Sequence, residues 1–202
     1  MKIYDSQTAP NPRRVRIFLA EKGIAVPYEQ VDIVKADNRS AEFRRKNPLG
    51  TLPVLELDDG SCIAESVAIC RYFEETHPRP PLMGTEARDR ALVEMWQRRI
   101  EFELFIPITQ VFRNLHPFFA GRIPQVAEWG EVNRTTAEAR MAWLDTVLAE
   151  REFIAGDRYT IADITALCGI DFGRVSKIRI DPAHAHLARW HAAVSARPSA
   201  KA

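Results

Sequence analysis

The chain has 202 residues, 46% of them hydrophobic, enough to bury one core or two small ones. Its 28 Lys and Arg balance 27 Asp and Glu, leaving a formal net charge of +1, so no field commits it to nucleic acid or to an anionic membrane. Small neutral or weakly anionic partners fit better. Cys62, Cys70 and Cys168 are odd in number, lie on apolar segments and form no C-x-x-C pair, which argues against a disulfide framework or a zinc site and points to a reducing compartment. The start MKIYDS has no basic region leading into an apolar one, and no stretch approaches 18 apolar residues. The expectation is a cytoplasmic protein that neither enters nor spans a membrane.

In chain order, KIYD reads as a strand, a helix runs from about Pro12 to Lys22 until Gly23 stops it, and VPYEQVDI alternates as a second strand. That is a βαβ unit. The short helical stretch SAEFRRK leads to Asn47-Pro48 and then to PVLELDDGSCIA, two strands joined at the hairpin signal Asp59-Gly60. Pro53 opens the first of these two strands, one of the few places a sheet tolerates a residue without an N–H. A further helix, SVAICRYFEETH, closes at Pro78. The order βαβ, α, ββ, α predicts a four-stranded mixed sheet with helices.

Periodicity breaks at HPRPPLMG, residues 77–84. The expected division is a domain over 1–77, a linker over 78–84 and a helical domain over 85–202. In the second half Leu92, Trp96, Ile100, Val111, Phe112 and Leu115 recur at helical spacing, and Pro107 is expected to kink or end that helix. The segment GDRYTIADITALCGIDF writes one helix start sharply. Thr160 can cap the Asp163 amide while the Asp163 carboxylate reaches back to the Thr160 amide, and Tyr159 and Ile164 flank this capping box as a hydrophobic staple. This structural role outweighs a catalytic one for Asp163.

GTLPVLELDDG, then ESVAICRYFE, a proline linker and GDRYTIADI resemble a cytosolic glutathione transferase, in this order and over nearly the whole chain. The opening MKIYDSQTAPNPRRVRIFLAEKGI and the region WQRRIEFELFIPITQVFRNLHP look most like the bacterial and fungal GTT2-like branch. The resemblance implies an α/β thioredoxin-like N-terminal domain followed by an all-α C-terminal domain. It implies activation of the glutathione thiol for attack on electrophilic small molecules in detoxification, with glutathione as co-substrate and no metal. It also implies a homodimer, with Arg71, Tyr72, Glu94 and Arg98 near the two-fold axis. A glutathione-dependent disulfide or peroxide reductase and a non-catalytic partner protein on the same fold remain alternatives.

Carried over residue by residue, the resemblance makes Pro53 a cis-proline that leaves the N–H and C=O of Val54 to pair with the cysteinyl part of glutathione. Ser66, where a strand gives way to a helix, would take the γ-glutamyl carboxylate, and Glu65 the adjacent ammonium. Two basic clusters, Arg13-Arg14-Arg16 and Arg44-Arg45-Lys46, read mostly as solvated faces, and Arg39 is a candidate for the glycyl carboxylate.

The first turn, SQTAPNPRRV, departs from relatives that carry Tyr, Ser or Cys there. With no cysteine in it, thiol exchange through an enzyme cysteine is disfavoured. Alignment on RRV puts Ala9 at the serine position, and one shift puts Thr8 there. Asn11, just before Pro12, matches an asparagine of some bacterial thiol-activating relatives, with helix amides beside it. Ser6 and Tyr4 are lesser candidates. The resemblance to the GTT2-like branch also implies a bound water, held by second-domain residues, that helps take the proton. His116 is the histidine placed for that, although a residue before Pro117 also reads as a plain helix end. Phe105, Thr109 and Phe112 are candidates to line the electrophile site, against a core reading for the same aromatic stripe.

Overall fold

A computed structural model describes all 202 residues, Met1–Ala202. The chain separates into two compact units, Met1–Leu82 with Lys201–Ala202, and Met83–Ala200.

The first unit carries β1 (Lys2–Asp5), α1 (Pro10–Lys22), β2 (Tyr28–Gln30), α2 (Ala41–Lys46), β3 (Val54–Glu56), β4 (Cys62–Ala64) and α3 (Ser66–Thr76). The sheet order is β2-β1-β3-β4. The β1–β2 pairing is parallel, as a βαβ crossover requires, and β3 is antiparallel to both neighbours. The hairpin closes where expected, with Gly60 at φ 84 and the Leu57 N–H donating to the Ser61 carbonyl at 2.9 Å.

Alternation on β1 sorts the two faces. Asp5 turns to α1, where its carboxylate meets Arg16 Nη1 at 2.6 Å. Tyr4 turns the other way and packs edge-on against Phe43 of α2, ring centroids 5.8 Å apart. The core of the unit, Ile3, Val15, Phe18, Leu19, Leu55, Ile69 and Phe73, is buried. Gly23 at φ 65 ends α1, its N–H bonded to the Ala20 carbonyl. Beside it the buried Lys22 ammonium meets Glu74 at 2.7 Å and the carbonyls of His77 and Pro80 at 2.7 and 2.8 Å.

Two sequence expectations change here. The helix α1 starts at Pro10 rather than about Pro12, because Ala9 is its N-cap and both prolines fit a first turn whose amides have no helical acceptor. Arg14 and Arg16 are not solvated: they are 1% and 7% exposed. The reason is that α1 packs on α3 and meets β1 through the Arg16–Asp5 pair, so its polar positions must find buried partners.

The second unit is helical: α4 (Ala87–Ile100), α5 (Ile106–Leu115), α6 (Ala127–Leu148), α7 (Ile161–Gly173) and α8 (Ala185–Ser195), with α5 on α6 and α4 on α7. The helical run continues past Pro107, which sits in the first turn of α5. One π turn, Glu101–Phe105, joins α4 to α5, and the Ile106 N–H reaches back five residues to the Glu101 carbonyl. Widening the turn absorbs the missing Pro107 donor and relieves its ring against the preceding carbonyls.

The capping box on α7 forms. The Asp163 carboxylate accepts from the Thr160 amide at 2.9 Å and also from the Ile154 amide and Trp190 Nε1 at 3.0 and 2.9 Å. Burial pushes the Asp163 carboxyl up, and these hydrogen bonds oppose that. No helix is long and apolar enough to cross a membrane.

Candidate active site

Register brings the sequence-nominated residues of the first unit to one end of the sheet. Tyr4 pairs with Val54 and Val54 with Ala64, so the turn after Asp5, the Leu52–Pro53 step and Glu65 lie side by side. The Leu52–Pro53 bond is cis, as expected, and so is Arg79–Pro80. The loop before Pro53 is held by buried Asn47, whose Nδ2 donates to the Thr51 carbonyl and Oγ1 at 2.9 Å and whose Oδ1 accepts from the Leu49 N–H. Gly50, at φ 64, lets the Asn38 carbonyl come so close that a Cβ would sit 2.7 Å from it. Asn38 Nδ2 donates to the Gly50 carbonyl, which ties exposed Arg39, its neighbour, to the same loop.

The backbone available at this step is not that of Val54. Ile3 and Asp5 direct their backbone groups to β2, through the Ile3 N–H to Pro27 and the Val31 N–H to Asp5, so Tyr4 faces β3. Val54, its partner, is thereby fully used in the ladder and is 0% exposed. Leu52, one residue before Pro53 and half-buried, makes no backbone hydrogen bond within the protein. A short added strand would pair with Leu52.

Glu65 and Ser66 form the second feature. Glu65 is the N-cap of α3 at φ 68 and ψ 116, a conformation that costs a non-glycine residue about 1–3 kcal/mol, and no side chain caps the helix. Ser66 is therefore the first helical residue rather than a cap. The Ile69 N–H bonds to the Glu65 carbonyl, which leaves the amides of Ser66, Val67 and Ala68 without a helical acceptor. Ser66 is 5% exposed, and its Oγ accepts from Arg14 Nη1 at 2.7 Å. The Glu65 carboxylate stands exposed beside it. Three outward amides and a hydroxyl over a buried guanidinium suit a carboxylate, and an exposed carboxylate next to them suits an ammonium.

Candidate thiol-stabilising groups sit on the turn between β1 and α1. Asn11 is half-buried at the second position of α1, and Thr8 is exposed in the turn closed by the Ala9 N–H to Ser6 carbonyl bond. Pro10 and Pro12 have no N–H, and the Arg13 amide bonds back to the Ala9 carbonyl. The helix start thus offers one outward amide, that of Asn11, where the sequence suggested several. Ser6 is 6% exposed and Tyr4, 4% exposed, donates to Glu56 at 2.6 Å, so each has a structural place. Among the cysteines, Cys70 and Cys168 are buried, and burial together with Glu56 pushes the Cys62 thiol up. None is an activated nucleophile.

The second-unit candidates are held within their own helices. His116 ends α5, and its Nδ1 accepts from the Phe118 N–H at 3.1 Å while its ring lies 4.7 Å from Phe112. Half-buried Phe112 also packs edge-on to Phe119 and Phe172 at 5.2 and 5.0 Å. Half-buried Thr109 donates to the Ile106 carbonyl at 2.8 Å. Phe105 is a correction: it is 4% exposed and packed on Gly169, where a Cβ would lie 3.0 Å from its ring, so it is core.

Sequence reasoning missed Arg14 and Leu52. The clue to Arg14 was an arginine between apolar neighbours on a helix that must cover a sheet. The clue to Leu52 was its place before Pro53.

Comparison with known proteins agrees with this two-unit fold. Residues 3–81 match the family model for the glutathione S-transferase N-terminal domain, and residues 109–198 match that for the C-terminal domain. Glutathione S-transferase 2 of Saccharomyces cerevisiae is 37% identical over 205 residues, covering 100% of this chain and 88% of that protein. The crystal structure of Gtt2 from the same yeast superposes with a TM-score of 0.95, covering 100% of this chain and 99% of the other. A class Gtt2 glutathione S-transferase of Vibrio parahaemolyticus is 39% identical with a TM-score of 0.87, over 98% and 95% of the two chains. With the thioredoxin-like unit and the helical unit both matched, this chain belongs to the glutathione S-transferase family, as a transferase with glutathione as co-substrate.

Proposed function

We propose that the end of the sheet around Pro53 binds glutathione and stabilises its thiolate for attack on an electrophilic small molecule. Residues 1–77 would serve glutathione and residues 85–202 the electrophile, with 78–84 as linker. The cysteinyl part of glutathione pairs with the N–H and C=O of Leu52, the γ-glutamyl carboxylate meets Ser66, and its ammonium meets Glu65. Arg39 attracts the glycyl carboxylate. The observation that carries this reading is Ser66 held by buried Arg14 beside exposed Glu65, at the edge where Leu52 keeps its backbone groups unpaired.

A thiol of pKa about 8.5 is roughly 3% ionised at pH 7. Lowering that value by about two units takes ~2.7 kcal/mol of preference for the thiolate, within reach of two hydrogen bonds to charge. Asn11 supplies both, from its side-chain N–H2 and from its own amide, and Thr8 is the alternative donor. A water held near His116 takes the proton. The thiolate then forms the new carbon–sulfur bond while the leaving group departs with its electron pair. Thr109 and Phe112 offer the electrophile apolar surface.

The protein would act in the cytoplasm in detoxification, where three free thiols persist, and as a homodimer. Retention on immobilised glutathione, followed by turnover of a generic aryl halide, tests the reading. Turnover of a mixed disulfide without the aryl halide would favour a reductase, and failure to bind glutathione would remove both enzymatic readings.

A further inference from the structure

We propose that Arg14 is a positioning residue of the γ-glutamyl site: its guanidinium fixes the Ser66 hydroxyl as a donor and thereby makes the site select a ligand with an α-carboxylate. The inference rests on the assignment of the γ-glutamyl end to Glu65 and Ser66.

A serine hydroxyl has one hydrogen to give and two lone pairs. Arg14 Nη1 donates to Ser66 Oγ at 2.7 Å, so toward Arg14 the oxygen is an acceptor. Its hydrogen has no acceptor within the protein. In a helix interior a serine returns that hydrogen to a carbonyl one turn back, but Ser66 opens α3 and has no preceding turn. The hydroxyl is left as a donor pointing away from Arg14.

Charge sharpens the preference. At 1% exposure little water surrounds the Arg14 guanidinium. A cation bonded to the hydroxyl oxygen makes its hydrogen a stronger donor. The same charge meets Ser66 at the start of α3, whose first amides already present positive potential. An incoming carboxylate is favoured at Ser66 and an ammonium is turned away, toward exposed Glu65. The pair therefore sets which way round the amino-acid end of the ligand lies. Lysine at position 14 would keep the charge but lose the planar fork that holds Oγ in place.

Calorimetric titration with glutathione and with 4-aminobutyryl-cysteinylglycine, which lacks only the α-carboxylate, tests the proposal. Arg14→Gln is expected to weaken glutathione binding by about tenfold while leaving the analogue within about twofold. In a Ser66→Ala background the same change should alter glutathione affinity by less than about twofold, since the two residues act as a unit. Arg14→Lys should recover part of the discrimination. Equal weakening of both ligands, an additive loss in the Ser66→Ala background, or failure of both Arg14 variants to fold would give Arg14 a merely structural role and overturn the proposal. A wild-type protein that binds both ligands alike would sink the γ-glutamyl assignment itself.

Discussion

At the scale of single residues, the site depends on groups whose partners fix what they can offer. Ser66 cannot act as a cap, because it is the first helical residue and its oxygen already accepts from Arg14. Ser66→Ala is therefore expected to weaken glutathione binding by about 1.5–3 kcal/mol, the range for a hydrogen bond to a charged group. An unchanged Kd in a folded variant would remove Ser66 from the site. Asn11 stands alone at the start of α1, since its neighbours Pro10 and Pro12 carry no N–H. Its side chain donates but takes no proton, so it can only stabilise charge. Asn11→Ala should raise the thiol pKa of bound glutathione by about one unit, a cost of ~1.4 kcal/mol, while binding changes little. The sign follows from which form the donor favours: losing it penalises the thiolate, so the ultraviolet thiolate titration moves to higher pH. The Asn11 backbone amide remains in that variant, which limits the shift. Thr8→Ala is the comparison, and a shift there without one in Asn11→Ala would transfer the role to the hydroxyl.

At the scale of elements, what the sequence made legible was local chemistry, and what it hid depended on packing. The hairpin at Asp59-Gly60 and the stop at Gly23 are written in residue types that tolerate φ > 0. The start of α7 is written in the Thr160–Asp163 spacing. By contrast the burial of Arg14 and Arg16 follows from the packing of α1 on α3 and the reach of Arg16 to Asp5 of β1, which no spacing reveals. The shift from Val54 to Leu52 follows from which backbone groups β2 takes from β1, and hairpin register alone does not specify that. The π turn before Pro107, with Phe105 seated on Gly169, likewise has no signature in the spacing. Asp163 joins the two kinds of information. Its box was legible, but the bonds to Ile154 and Trp190 that make it a tie between α7, α8 and the preceding loop were not. Asp163→Ala leaves four buried donors, the amides of Ile154 and Thr160, the Thr160 hydroxyl and Trp190 Nε1, without this acceptor, so it should cost about 3 kcal/mol or more in urea unfolding. A loss under about 1 kcal/mol, the worth of an ordinary cap, would show that these bonds contribute little beyond the helix start.

At the scale of the whole molecule, the proposed homodimer can be separated from the stability of the monomer. On α3, Arg71 and Glu75 approach to 3.7 Å, and on α4 Arg98 and Glu94 to 2.7 Å, with Arg98 over the ring of Phe102, which is 51% exposed. Within one helix, exposed pairs of this kind are worth only about 0.3–0.5 kcal/mol, so breaking one scarcely affects a monomer. In an isologous contact each substitution acts twice, because the same patch meets itself across the axis. The wild-type protein should sediment at twice the chain mass at micromolar concentration. Arg98→Glu places like charge beside Glu94 and, if these residues lie near the axis, opposite its own copy. That should weaken dimerisation by at least about tenfold, or ~1.4 kcal/mol, while the urea midpoint measured on dilute monomer changes little. A wild-type monomer at that concentration would remove the dimer, and a dimer indifferent to Arg98→Glu would move its interface away from α4.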